Sequence, residues 1–147
     1  MSLLVHASCV VLGEDGYLIV GESGAGKSRL ALALCHEARR NGRFARLVGD
    51  DRIAVAASGG RLIARPHPAL AGLIEVRGIG LVPTSHEPSA RIRLVIALVP
   101  DLPDRMPHGM AHRILCGIRL PELVLWQNGA ADDACRAVAQ FRRIHPD

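Results

Sequence analysis

The stretch Gly21-Glu22-Ser23-Gly24-Ala25-Gly26-Lys27-Ser28 fits the pattern G-x-x-x-x-G-K-[ST] at every fixed position. At average residue usage, the four fixed residues coincide somewhere in a chain of this length in on the order of 1% of cases. Lys27 is also the only lysine in a chain that otherwise uses arginine for positive charge. The stretch therefore predicts a phosphate-binding loop (P-loop), and a purely structural glycine turn is the alternative.

The residues of this loop have distinct predicted roles. Gly21, Gly24 and Gly26 let the backbone curl so that successive N–H groups point inward at phosphate oxygens. Lys27 would reach the β- and γ-phosphates, and the Ser28 hydroxyl would join the shell of a Mg²⁺ ion. The helix expected after the loop would direct its positive end at the same anion. We therefore expect a nucleoside triphosphate with Mg²⁺ to bind here.

The flanks of the loop predict a strand before it and a helix after it. Residues 3–12 and 17–20 are apolar runs joined by Gly13-Glu14-Asp15-Gly16, a combination typical of a β-hairpin. From Lys27 onward the apolar residues fall at helical spacing until Asn41-Gly42, which favours a helix end. The expected fold is an α/β P-loop domain with a central strand–P-loop–helix unit and additional antiparallel strands.

Further elements are predicted along the rest of the chain. Short apolar runs favour strands at 44–48, 92–99, 114–120 and 123–126, a hairpin at 53–57 and 62–64, and a final helix at 130–141. Three prolines and two aspartates predict an exposed loop at 100–107. Without a linker or a repeat, residues 1–147 are expected to form a single domain.

Composition narrows the class of protein. The hydrophobic fraction of 49% and the charged fraction of 22% are typical of a globular domain. The net charge is +4, but the arginines are dispersed and aromatics are scarce, which disfavours nucleic-acid binding. No apolar stretch is long enough to span a membrane, and the four separated cysteines predict buried free thiols. A cytoplasmic protein is expected.

Two acidic residues follow the strand predicted at 44–48. Neighbouring residues of a strand point to opposite sides, so Asp50 and Asp51 would serve one site only if the strand has ended and the chain is turning. One carboxylate could then hold Mg²⁺, and the other could accept the proton of an incoming hydroxyl. The alternative is an aspartate-rich turn that opens the next hairpin. The position after a P-loop helix and a short strand favours the functional interpretation.

Three motifs in this order resemble the catalytic domain of the HPr kinase/phosphorylases, enzymes that phosphorylate a serine of the phosphocarrier protein HPr. They are the loop GESGAGKS, the pair Asp50-Asp51, and Ile74-Glu75-Val76-Arg77-Gly78-Ile79-Gly80, which is similar to that family's signature segment. His6 and Arg105 match further family positions. The resemblance covers roughly residues 5–105.

The resemblance implies ATP as the phosphoryl donor and assigns roles to individual residues. Asp51 would be the base and His6 a neighbour that supports it. Asp50 and Glu75 would lie around the Mg²⁺ and the phosphates. Arg105 would lie on a mobile loop that faces the protein partner. Each has a structural alternative, such as a core histidine for His6, a loop arginine for Arg105, and a surface pairing of Glu75 with Arg77.

Two departures from the family pattern qualify these expectations. Arg29 follows Ser28 where the family usually has a glutamate. The chain is also expected to be a short, truncated form without the N-terminal domain of longer members. The resemblance implies HPr, or a close homologue in the phosphotransferase system, as the partner, and a homo-oligomer, a hexamer, as the assembly. The open alternatives are a small-molecule kinase or NTPase, and a nucleotide-sensing module in which Arg29 marks lost catalysis.

Overall fold

The computed structural model describes residues 2–103 and 111–144 of the 147-residue chain. It contains a mixed sheet, a smaller antiparallel hairpin and two α-helices. A single 3-10 turn at Pro68–Leu70 precedes the hairpin. The elements are β1 (Ser2–Leu12), β2 (Asp15–Val20), α1 (Lys27–Arg40), β3 (Ala45–Gly49), β4 (Arg52–Ser58), β5 (Arg61–Pro66), β6 (Leu73–Val76), β7 (Gly80–Pro83), β8 (Ala90–Val99), β9 (Ala111–Leu115), β10 (Ile118–Trp126) and α2 (Ala131–Ile144).

The long strand β1 belongs to two groups of strands. Its first half, Ser2 to His6, pairs antiparallel with β4. Strand β4 pairs antiparallel with β5, and β5 pairs antiparallel with the start of β8. Its second half pairs antiparallel with β2 on one side and with β3 on the other. Strand β2 then pairs parallel with β8, and β8 pairs parallel with β10. Strands β3 and β4 pair with successive segments of β1. The β3–β4 connection therefore lies next to the middle of β1.

Alternation along the strands produces two apolar cores. Val10 and Leu12 face the cluster that includes the buried sides of both helices. Cys9 and Val11 face the opposite way, into a cluster that β4, β5 and β8 complete. Side chains of successive strand residues point to opposite faces, so one apolar strand serves both cores. Both faces of the central strands are therefore buried, which explains their nearly continuous apolar sequence.

Most of the elements predicted from sequence are confirmed. The first hairpin, the helix after Gly26, the 53–64 hairpin, the strand at 92–99 and the final helix are all present, with shifts of one to three residues at their ends. The mixed α/β class is confirmed as well. Neither helix in the described ranges is long and apolar enough to span a lipid bilayer.

The strand predicted at 114–120 is wrong, because a turn at Cys116-Gly117 splits it into β9 and β10. Both turn residues have positive φ, 51° and 77°, as in a two-residue type I′ hairpin turn.

All four cysteines are free, as expected, but Cys116 is only partly buried. Burial raises the pKa of Cys35 to about 11, and it raises the pKa of Cys9 further. These two thiols are structural.

Gly16 provides a test of the β2–β8 pairing. A Cβ atom added at Gly16 would lie 2.6 Å from the backbone oxygen of Arg91 and 2.9 Å from Cβ of Ala90. Gly16→Ala should therefore push β2 from β8 and lower the free energy of unfolding by about 1–3 kcal/mol. Urea denaturation followed by circular dichroism measures this. Glu14→Ala in the exposed preceding turn should stay within about 0.5 kcal/mol of wild type. Equal unfolding midpoints for the two variants would contradict the prediction.

Candidate functional site

The glycine-rich loop (residues 21–28) leaves the end of β2 and becomes the first turn of α1. Gly24 and Gly26 have φ of +83° and +98°, and a Cβ atom at either would meet no other atom within 4 Å. Glycine is favoured at these two positions by the left-handed backbone conformation and not by a lack of space for a side chain. Gly21 differs, since a Cβ there would lie 3.0 Å from the backbone oxygen of Leu98. The loop is thus shaped by backbone dihedrals and by close packing on β8.

The start of α1 carries free donor groups. Gly26 is the N-cap residue, no side chain caps the helix, and its first turn contains no acidic residue. The first backbone N–H groups of an α-helix have no acceptor inside the helix. Together with the helix dipole, they form a ready site for an anion. The geometry of the loop is therefore suited to phosphate oxygens.

Lys27 lies folded against the loop. Its side-chain Nζ donates to the backbone oxygens of Gly21 and Glu22, at 2.9 Å each. The residue is 8% exposed. Burial lowers the pKa of Lys27, while the carboxylates of Asp51 and Asp50 act in the opposite direction. The Lys27 ammonium group is therefore poorly hydrated, and a nearby anion would stabilise it.

Asp50 lies in the turn after β3 and is 4% exposed. The Ser28 hydroxyl lies 2.9 Å from both of its carboxylate oxygens, and the Ser8 hydroxyl donates to Oδ1 at 2.5 Å. The backbone N–H of Glu75 donates to Oδ2 at 3.2 Å. Three different elements, β1, α1 and β6, thus converge on one carboxylate.

Asp51 lies beside Asp50 in a different environment. Its φ is +69°, an uncommon backbone conformation that aspartate tolerates better than most residues. This turn follows the end of β3, as the sequence analysis required for both carboxylates to serve one site. Oδ1 of Asp51 lies 2.7 Å from Nε2 of His6, and both side chains are about half exposed, at 50% and 52%. A solvent-accessible carboxylate therefore lies next to a buried one.

Ala7 explains why these groups meet. It pairs with Val20, the last residue of β2, and its N–H donates to the backbone oxygen of Asp51 at 3.2 Å. The glycine-rich loop and the acidic turn consequently leave from neighbouring points of β1. His6 and Ser8, on either side of Ala7, contact the two aspartates. The middle of β1 is the common support of the site.

The predicted residues are brought together to different degrees. Lys27, Ser28, Asp50, Asp51 and His6 lie around the mouth of the loop. Glu75 reaches Asp50 through its backbone N–H, and the residue is exposed on the β6–β7 hairpin. Within the described ranges, no group of three or more His, Cys, Asp or Glu side chains could hold a metal ion. Arg105 lies outside the described residues.

Ser8 is the site residue that the sequence analysis missed. It is fully buried in β1, where neighbouring positions are apolar. A lone serine in a hydrophobic strand carries no sequence pattern that distinguishes it from a small core residue. Its partner Asp50 lies 42 positions away, and only the pairing of β1 with β3 brings them together.

Comparison with known families identifies the class of protein to which this fold belongs. The family model of the HPr Serine kinase C-terminal domain matches residues 1–125. The chain therefore belongs to the HPr serine kinase C-terminal domain family. This confirms the resemblance that the three sequence motifs indicated.

Particular relatives place the chain within that family. It is 43% identical over 76 residues to an HPr kinase/phosphorylase of Mycoplasma mycoides subsp. mycoides SC, covering 52% of this chain and 22% of that protein. It is 31% identical over 131 residues to an HPr kinase/phosphorylase of Streptococcus thermophilus, covering 81% of this chain and 40% of that protein. The chain thus spans less than half the length of these relatives.

A solved structure extends over the whole chain. The structure of the Hpr(Ser) kinase/phosphatase from Coxiella burnetii has a TM-score of 0.78 and 27% sequence identity, and the alignment covers 99% of both chains. The mixed sheet and its helices are therefore an arrangement that a chain of similar length also adopts.

Ser8 also provides a test of the Asp50 contacts. Ser8→Ala removes one hydroxyl donor from a buried carboxylate, which should lower the free energy of unfolding by about 1.5–3 kcal/mol. Chemical denaturation measures the change. Ser2→Ala, at the exposed start of the same strand, should change stability by less than about 0.5 kcal/mol. If Ser8→Ala is as stable as Ser2→Ala, the hydroxyl does not hold Asp50.

Proposed function

We propose that this chain is an ATP-dependent protein serine kinase that phosphorylates HPr, or a close phosphocarrier homologue, in the phosphotransferase system. The observation that carries the proposal is the grouping of Lys27, Ser28, Asp50, Asp51 and His6 at the mouth of the glycine-rich loop. Membership of the HPr serine kinase C-terminal domain family supports it. So does the name HPr kinase/phosphorylase of the relatives from Mycoplasma mycoides and Streptococcus thermophilus.

The loop would hold the triphosphate of ATP. The uncapped N–H groups at the start of α1 would donate to phosphate oxygens. Lys27 would exchange its two backbone acceptors, the oxygens of Gly21 and Glu22, for anionic phosphate oxygens. Hydrogen bonds between charged groups are stronger than those to a neutral carbonyl, so the exchange is favourable.

A Mg²⁺ ion fits the donors that surround Asp50. The Ser28 hydroxyl and the Asp50 carboxylate are adjacent oxygen donors, which is the chemistry that Mg²⁺ prefers. Glu75, whose backbone N–H already binds Asp50, would complete the protein's part of the set. When bound, the ion would neutralise charge that develops on the phosphates. The hydrogen bonds between Ser28 and Asp50 would keep these two ligands close together.

The transfer step would use Asp51. The oxygen of the substrate serine attacks the γ-phosphorus, the bond from that phosphorus to the bridging oxygen of ADP breaks, and the serine proton passes to the Asp51 carboxylate. An ionised carboxylate only accepts hydrogen bonds, so His6 must donate its Nε2–H to Oδ1. This contact would fix the orientation of Asp51, and the proton would go to the other oxygen, Oδ2, which lies 4.0 Å from Nε of Arg52.

Replacement of the lysine tests the phosphate-binding part. Lys27→Ala should weaken ATP binding by about 10- to 100-fold, because a charged contact worth about 1.5–3 kcal/mol is lost. Isothermal titration calorimetry gives the dissociation constant. Arg61→Ala removes an exposed cation at the opposite end of β4 and β5 and should leave ATP affinity unchanged. Unaltered affinity in Lys27→Ala would rule out this loop as the phosphate site.

Replacement of Asp51 separates catalysis from binding. Asp51→Asn should lower the rate of phosphoserine formation on HPr by about 10²- to 10⁴-fold, the usual effect of removing a general base, while ATP affinity is retained. Quantitative mass spectrometry of HPr measures the rate. Glu14→Gln makes the same change in an exposed turn and should react at the wild-type rate. A normal rate in Asp51→Asn would exclude it as the base.

One observation favours a second candidate, a nucleotide-sensing module without turnover. Arg29 gives the first turn of α1 a positive charge, and a cation there is disfavoured by the helix dipole. A bound anion would offset this unfavourable interaction of Arg29 with the helix dipole. Arg29 therefore favours tight nucleotide binding, whether or not phosphoryl transfer follows. Wild-type protein that binds ATP with high affinity and forms no phosphoserine would favour the sensor over the kinase.

A further inference from the structure

One face of the antiparallel strands β1, β4 and β5 is open to solvent. Their other face packs on the core that contains Val55 and Leu62. Residues that pair across neighbouring strands point to the same face of a sheet, so the strand register defines what the open face carries. The residues of this outer face lie in three rows, namely His6 with Arg52, Leu4 with Ala54 and Arg65, and Ser2 with Ala56, Ile63 and Arg91 of β8.

The outer face is strongly basic. Arg52, Arg65 and Arg91 are exposed, and no residue in the three rows is acidic. Arg65 and Arg91 take part in no ion pair among the described residues, while Nε of Arg52 lies 4.0 Å from Oδ2 of Asp51. The three arginines are dispersed in the sequence because they belong to three different strands. Strand pairing gathers them into one surface of positive charge.

The centre of the outer face is apolar. Leu4 is 51% exposed, and Ala54, Ala56 and Ile63 are partly exposed. Protein–protein interfaces have this composition, with an apolar centre, a polar rim and an enrichment in arginine. The outer face carries no aromatic side chain on which a nucleic-acid base could stack. The composition therefore favours a protein partner, and the charge favours one with carboxylates, since arginine binds a carboxylate through paired hydrogen bonds.

One end of the outer face leads to the proposed catalytic base. His6 pairs with Arg52 and so belongs to the outer face, and its Nε2 lies 2.7 Å from Oδ1 of Asp51. Both side chains of this contact are about half exposed. A protein bound across the outer face would therefore have one end of its contact surface next to Asp51.

We propose that the outer face is the docking surface for the protein substrate, and that Arg65 and Arg91 select a substrate with acidic residues near the serine. This inference rests on the proposed kinase function and adds substrate recognition to it. The two arginines lie about 7 and 13 Å along the strands from the row of His6, so they are specificity residues rather than catalytic ones. Complementary charges across an interface mainly speed association and suppress wrong partners. The Michaelis constant (KM) for HPr should therefore depend on them.

Charge reversal measures this dependence. Arg65→Glu and Arg91→Glu should each raise the KM for HPr about three- to tenfold, because an attraction between exposed charges becomes a repulsion. The kcat and the dissociation constant of ATP should stay at their wild-type values. Added salt should raise the wild-type KM and change that of the double variant less. Arg40→Glu reverses an exposed charge in the last turn of α1 and should leave the KM unchanged.

Cross-linking locates the docked protein independently of the kinetics. A photoreactive phenylalanine analogue in place of Leu4 should cross-link to HPr, and mass spectrometry should place the link in a segment that contains Asp or Glu. The same analogue in place of Leu32, an exposed leucine of α1, should form no cross-link. Thermal melting establishes that each variant is folded.

The outcomes separate this inference from the proposed function. Phosphorylation of HPr with the same KM by the wild type and by both reversal variants overturns the docking surface alone. A cross-link from position 32 but not from position 4, or a link in a segment of HPr without carboxylates, also overturns it. If the wild type forms no phosphoserine on HPr, the proposed function fails and the docking surface fails with it.

Discussion

The structure of the site depends on the buried carboxylate of Asp50. Removing a carboxylate from water costs on the order of several kcal/mol unless donors replace the lost hydration. Here the donors come from Ser8 in β1, Ser28 in α1 and the backbone of Glu75 in β6. These elements are distant in sequence, and each must be in register for the carboxylate to be satisfied. One carboxylate thus ties the start of the helix to the sheet and to the β6–β7 hairpin.

The contrast between the two aspartates follows from the same turn. Asp50 is buried and accepts hydrogen bonds at both oxygens, which suits a fixed ligand for a cation, whereas Asp51 is half exposed and its carboxylate pairs with His6 and Arg52. Adjacent residues acquire different environments because the left-handed backbone at Asp51 reverses the chain between β3 and β4. In the proposed mechanism, the Asp50 carboxylate would hold the Mg²⁺ ion and the Asp51 carboxylate would accept the serine proton.

The sequence predicts the local features well and the long-range ones poorly. The loop, the first hairpin and both helices follow from glycine positions and apolar periodicity within short windows. The contact of Ser8 with Asp50 depends on strand register across 42 residues, which no local pattern records. The turn that splits the strand predicted at 114–120 was missed because Cys116 occupies a left-handed position where asparagine or aspartate is usual. Arg105 and the roles of the site residues remain predictions.

The most direct measurement is the fate of the terminal phosphate of ATP. The full chain would be incubated with γ-labelled ATP, Mg²⁺ and HPr from the same organism, and the labelled residue would be located by mass spectrometry. The proposed mechanism predicts one phosphoserine on HPr and an equal amount of ADP. Label found only as free phosphate, or unmodified HPr beside tightly bound ATP, would contradict the conclusion that this site transfers phosphate to a protein serine.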